Sequence, residues 1–140
     1  MNSLPELHCA CATVRRASRL ITQLYSQELG DSIEPGQFSL LLAIERLSGC
    51  TQTTLGRLLG FDKTTVSRSL KVMTRNGWIG PATPAAGHCL TRSGAQLLAT
   101  TKPKWIRAQK KLQAALRGTG WDPMLKAFDD AAEGALKAQR

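Results

Sequence analysis

The sequence predicts a mainly α-helical fold with one small β-hairpin, organised as a winged helix-turn-helix joined to a helical dimerisation lobe. Three observations predict it. Apolar residues recur at helical spacing over most of the 140 residues. Glycine and proline cut that pattern into separate helices. One short segment, from Trp78 to Thr91, holds strand-like residues around a turn-rich tip.

The elements follow in order. Leu7 to Leu29 has helical periodicity and ends at Gly30. Pro35 suits a helix first turn, and the heavily apolar run Phe38, Leu41, Leu42, Ile44 and Leu47 carries a second helix to Gly49. Thr51 can cap a short third helix with Leu55, Leu58 and Leu59, which stops at Gly60. Asp62 can cap the fourth, which runs to Gly77. Trp78-Ile79 and Cys89-Leu90-Thr91 are strand candidates. Thr91 or Ser93 begins a long fifth helix to about Arg117, with Pro103 expected to kink or break it. Gly118-Thr119-Gly120 is a turn, and Asp122 with Pro123 begins the last helix.

These elements predict a single domain over 1–140. Within it, 35–92 would form a winged helix-turn-helix lobe, and 1–30 with 93–140 a helical dimerisation lobe. The length suits one core. No stretch approaches the ~18–20 uninterrupted apolar residues of a membrane span. The N-terminus lacks the basic patch and apolar run of a secretory signal, so a cytoplasmic location and reduced thiols are expected.

The net charge is +9. Residues 51–92 carry six basic side chains against Asp62 alone, a balance of +5, whereas residues 1–50 come to −1. A segment with one carboxylate suits a phosphate-facing surface.

Its sharpest feature is the pair of helices joined at Gly60-Phe61-Asp62. Val66, Leu70 and Met73 fall at i, i+4 and i+7 and make one apolar stripe. Thr64, Arg68, Lys71 and Arg75 lie on the opposite face, with Lys63, Thr65 and Ser67 at the N-terminal end. A major groove admits one helix, and its base edges accept from arginine, lysine and hydroxyl donors. Lys63, Thr64, Thr65, Ser67 and Arg68 are therefore expected at base edges and nearby phosphates, and Lys71 and Arg75 at the backbone. Thr51, Gln52 and Thr53, at the start of the third helix, complete the expected DNA-binding set with Arg92.

The run from Leu55 to Ile79, centred on Gly60-Phe61-Asp62-Lys63-Thr64-Thr65-Val66-Ser67-Arg68, resembles the winged helix-turn-helix of the MarR family of bacterial transcription regulators. Arg15-Arg16-Ala17-Ser18-Arg19, Gln37-Phe38-Ser39-Leu40-Leu41 and Leu90-Thr91-Arg92-Ser93-Gly94 resemble further segments of that family. The resemblance implies a homodimer with intertwined first, fifth and sixth helices, bound to a palindromic operator in double-stranded DNA, as a repressor in the first instance. Family wings often carry an acidic residue and arginines that probe the minor groove. This tip, Gly80 to His88, has neither, so His88, Thr83 and Arg92 are the wing's remaining candidates for phosphate. Leu7, Val14, Leu20, Ile21 and Leu24, with Trp105, Ile106, Leu112, Leu116, Trp121, Leu125, Phe128 and Leu136, exceed what a thin monomer buries easily, which also predicts a dimer.

The cysteines leave the effector open. In the organic-hydroperoxide-sensing branch of the family, a reactive cysteine in the first helix lies fourteen residues before a tyrosine that hydrogen-bonds to it. Cys11 stands in that relation to Tyr25, the only tyrosine of the chain. A second tyrosine of that branch has no counterpart around Pro35. Three readings of Cys9 and Cys11 stand: an oxidant-sensing site, small packed residues in a dimer interface, and part of a soft-metal site with His8. A small-molecule effector is a further alternative. Cys50 and Cys89 are expected to pack as small hydrophobes.

No enzyme motif is present: there is no HExxH, P-loop, GxSxG or Rossmann glycine pattern. A thiol oxidoreductase using Cys9 and Cys11 lacks the CxxC such enzymes use. No metal or cofactor is called for. Aromatics make up only 5%, too few for the stacking platforms of a non-specific RNA or DNA binder.

Overall fold

The computed structural model describes residues 5–80 and 87–140. Six helices follow one another: α1 (Ala10–Leu29), α2 (Pro35–Arg46), α3 (Gln52–Leu59), α4 (Lys63–Arg75), α5 (Arg92–Ala115) and α6 (Trp121–Ala138). The chain divides into two compact units, one ending at Trp105 and the other spanning Ile106–Arg140.

Local chemistry sets the helix ends. Cys9 is the N-cap of α1, its Sγ accepting the Ala12 N–H at 3.5 Å, so the helix begins three residues later than its periodicity suggests. Glu34 and Gln37 form a reciprocal capping box at the start of α2, with Pro35 supplying a pre-set φ where no N–H is needed. The expected continuation of α2 to Gly49 does not occur. The helix ends at Arg46, and the exposed stretch 47–49 turns so that Cys50 meets the segment around His88.

The core of the first unit gathers one face from each of several helices. Phe38, Leu40, Leu41 and Ile44 of α2 meet Leu55 of α3, Val66, Leu70 and Met73 of α4, Ile79, and Leu98 of α5. The Phe38 and Trp105 rings lie 5.7 Å apart and tilted, a favourable aromatic arrangement.

Among the described residues no strand forms. Two isolated antiparallel bridges are present: Ile79↔Leu90, where the base of the hairpin is expected, and Cys50↔His88, which joins the α2–α3 loop to that base. The wing tip, including Thr83, lies outside the described residues.

Pro103 does not break α5. A mid-helix proline leaves one carbonyl unbonded, here that of Ala99, an exposed position where water can serve it. In the second unit, α6 begins after Gly120 with Asp122 and Pro123 in its first turn, and none of its residues is buried. No helix among the described residues is long and apolar enough to cross a membrane.

Candidate nucleic-acid interface

The turn between α3 and α4 is built from small, specific contacts. Gly60 closes α3 in the left-handed region at φ 69°, a conformation glycine adopts without steric cost. Gly56 lets the turn approach closely: a Cβ there would sit 3.0 Å from the Phe61 carbonyl oxygen and 3.5 Å from Val66 Cγ2. Thr51 caps α3, its Oγ1 accepting the Thr54 N–H at 3.2 Å while donating to Thr54 Oγ1 at 3.1 Å. Asp62 caps α4, Oδ1 accepting the Thr65 N–H at 2.6 Å. The hydrogen bonds from Thr65 hold the Asp62 carboxyl below its ordinary value. The Arg68 charge works the same way and slight desolvation against it.

Burial of Val66, Leu70 and Met73 fixes the rotation of α4. The opposite face is thereby forced outward. Lys63, Thr64, Thr65, Arg68, Lys71 and Arg75 are exposed and Ser67 is half-buried. Lys63, Thr64, Ser67, Arg68 and Lys71 line one shallow open groove. Thr51, Gln52 and Thr53 are exposed at the start of α3, and Arg92 is exposed at the start of α5. Between Asp62 and Asp122 the sequence has no carboxylate to offset these cations. Such a surface can donate hydrogen bonds and positive charge to a polyanion along one helix face.

The wing base differs from expectation. His88 is only 5% exposed, which removes it as a phosphate contact. Its backbone N–H donates to the Cys50 carbonyl at 3.0 Å, and its carbonyl accepts from Gly49 N–H at 3.2 Å. Burial lowers the proton affinity of its imidazole. Cys50 is buried as expected, and burial, with the nearby Cys89, pushes its thiol up against one opposing backbone hydrogen bond. Cys89 is exposed rather than packed, its Sγ 3.9 Å from Ser48 Oγ. The role of His88 was illegible in the sequence because its bridge partner, Cys50, lies in a loop with no strand signature.

Cys9 and Cys11 are free and exposed at the start of α1. Tyr25 is half-buried, and burial raises its pKa. Cys11 and Tyr25 occupy one continuous helix, about 21 Å apart along its axis at 1.5 Å per residue. His8 precedes the helix at φ 47° with Nε2 3.6 Å from Glu6 Oε2. Among the described residues no group of three or more histidine, cysteine or carboxylate side chains is placed to hold a metal ion.

Comparison with known proteins adds to this geometry. Residues 32–86 match the sequence profile of the MarR family. No curated protein matches the chain. The M. tuberculosis transcriptional regulator MosR is 28% identical, with a TM-score of 0.83 over 94% of this chain and 98% of its own. The structure of MosR in complex with DNA is 29% identical, with a TM-score of 0.83 over 95% of this chain and 100% of its own. A MarR transcriptional regulator from Methanosarcina mazei Go1, 19% identical, shares the fold at a TM-score of 0.74, covering 97% of this chain and 95% of its own. The matched segment holds the helix-turn-helix, and the likeness to a transcriptional regulator extends over nearly the whole length: residues 32–86 carry a MarR-family segment within a chain similar to MosR throughout.

Proposed function

We propose that the protein is a homodimeric, sequence-specific regulator of transcription, acting as a repressor that places α4 of each subunit in the major groove of a palindromic operator. One observation carries this reading. The exposed face of α4 presents Lys63, Thr64, Arg68 and Lys71 together, while Val66, Leu70 and Met73 lock its rotation from behind. Lys63, Thr64, Thr65, Ser67 and Arg68 serve the base edges and adjacent phosphates. Thr51, Gln52, Thr53, Lys71, Arg75 and Arg92 serve the DNA backbone. Residues 35–92 act as the DNA-binding lobe, and 1–30 with 93–140 as the dimerisation lobe. Exposed apolar residues support the dimer: Leu7, Val14 and Leu20 in one unit, and Ile106, Leu125, Phe128 and Leu136 in the other.

The test is selection from a random duplex library. The expected product is an inverted repeat whose half-sites lie one helical turn, about 34–36 Å, apart. Recovery of no common sequence, or of a single unrepeated site, contradicts the reading.

Release of DNA is assigned to oxidation of Cys11. Its thiolate attacks the terminal oxygen of a hydroperoxide, forming a sulfenic acid as the O–O bond breaks and the alkoxide departs, which takes a proton from water to become the alcohol. Exposure of Cys9 and Cys11 supports this, since access is a condition of thiol reactivity. The separation of Cys11 from Tyr25 along one helix means that their contact, implied by the family resemblance, is made between subunits. Peroxide is expected to abolish operator binding by the wild type and spare Cys11→Ser; equal loss in both contradicts this assignment.

A second reading, release by a small ligand, is favoured by an open groove on α1 lined by Val14, Arg15, Arg16, Ser18, Arg19 and Leu20. Three guanidiniums beside aliphatic carbons suit an amphipathic anion.

A further inference from the structure

His88 is the only buried imidazole, carboxylate or amine among the described residues. Its Nδ1 is buried with no hydrogen-bond partner there. A buried polar atom left unpaired is costly, and a buried unpaired cation costs far more. The neutral ring is therefore the form this site accepts.

The backbone around it joins two parts of the interface. On one side, the His88 N–H and carbonyl bond to Cys50 and Gly49. On the other, Gly80 N–H donates to the Cys89 carbonyl and Thr91 N–H to the Trp78 carbonyl, each at 3.0 Å. Gly87, at φ 63°, lies so close to this loop that a Cβ would collide with the Gly49 carbonyl. Cys50 directly precedes Thr51, the cap of α3. The segment 87–90 thus ties the wing base to the start of α3.

The ionisable residues that adjoin His88 along the backbone are Cys50, across the bridge, and Cys89, next in sequence. The adjoining elements carry Glu45 and Arg46 at the end of α2, Arg57 on α3, Arg75 at the end of α4 and Arg92 on α5, all exposed. Glu45 is paired with Lys102 at 2.7 Å. The proton affinity of His88 is lowered by burial alone, with no contribution from these charges.

We propose that His88 is a proton-operated latch: neutral, it holds the wing base against the α2–α3 loop, and protonated, it leaves its buried site and frees both from the geometry that DNA requires. This rests on the DNA-binding reading above. The linkage has a definite sign. The latched imidazole titrates below the ordinary 6.5 of an exposed one. The latch is fully closed above that value and weakens as pH falls from it toward the latched value, by at most about tenfold per pH unit. Acid thus opposes binding here, although an added imidazolium charge at a DNA surface would favour it.

The experiment measures operator affinity at pH 7.5 and pH 5.5 at constant ionic strength, for wild type, His88→Phe and His8→Gln. Wild type and His8→Gln are expected to weaken about fivefold or more on acidification, and His88→Phe to respond far less. An equal response in wild type and His88→Phe overturns the proposal. Absence of binding at pH 7.5 instead contradicts the DNA-binding reading itself. NMR titration of the wild type without DNA decides the matter if His88→Phe does not fold. With only two histidines in the chain, both rings can be followed. A His88 midpoint below that of His8, tracked by the amides of Cys50, Cys89 and Leu90, supports the latch. A midpoint at or above that of His8, or amides that stay still through it, overturns it.

Discussion

Asp62 Oδ1 accepts the Thr65 N–H at 2.6 Å, and this bond fixes where α4 begins. The cap satisfies a backbone donor that the helix cannot, and places the residues from Lys63 onward in their first turn. Asp62→Ala is expected to lower the melting temperature, with Asp62→Asn, which keeps a neutral cap but lacks the charge, falling between it and wild type at neutral pH. Because the folded carboxyl is held below its ordinary 3.8, its contribution is present above that pH and is lost as pH falls through the folded value. Thermal melts of both variants between pH 3 and pH 7 check this: the gap between wild type and Asp62→Ala closes only at the acid end.

Leu70 is 2% exposed and sits in the stripe that sets the rotation of α4. Leu70→Ala is expected to cost about 2–5 kcal/mol, from lost burial and the cavity left behind. Urea unfolding gives the value directly, and a loss below 1 kcal/mol would mean that the stripe is not packed as described.

The helix-turn-helix was legible in the sequence because its signals are local. Thr51 and Asp62 are caps, Gly60 takes the left-handed turn, and Val66, Leu70 and Met73 repeat at helical spacing. The pairing of Cys50 with His88 was not legible, because it joins residues 38 positions apart through backbone bonds that leave no pattern in side-chain type. The long α5 was legible, and of the two outcomes expected at Pro103, a kink or a break, the break does not occur. Pro103 signals a stop on its own, but a proline is tolerated where water can serve the carbonyl it frees. The α4 surface could be read as basic, while its outward orientation depended on which stripe the core accepted.

Lys71 is exposed one turn beyond Arg68 and is assigned to phosphate. Lys71→Ala is expected to weaken binding to operator and random duplex alike. It should also reduce the slope of log affinity against log salt by about 1. Titrations at several salt concentrations test this, and a loss confined to the operator would reassign Lys71 to a base.

Phe128 remains 37% exposed on α6, a helix with no buried residue. An aromatic ring in that position gains from a partner surface. Phe128→Asp is expected to shift the protein from dimer toward monomer in sedimentation at micromolar concentration. A wild-type chain that already sediments at its monomer mass of 15.2 kDa would refute the dimer.

The central claim is that Arg68, on the outward face of α4, reads a base, and competition binding tests it most directly. Wild type is expected to prefer its selected operator over random duplex by at least about 10³-fold. Arg68→Ala is expected to lose about 1–3 kcal/mol on the operator and to become indifferent to the base pair at one position of each half-site. If Arg68→Ala weakens binding to operator and random duplex by the same factor, with every position still discriminated, Arg68 touches only the DNA backbone and the claim is contradicted.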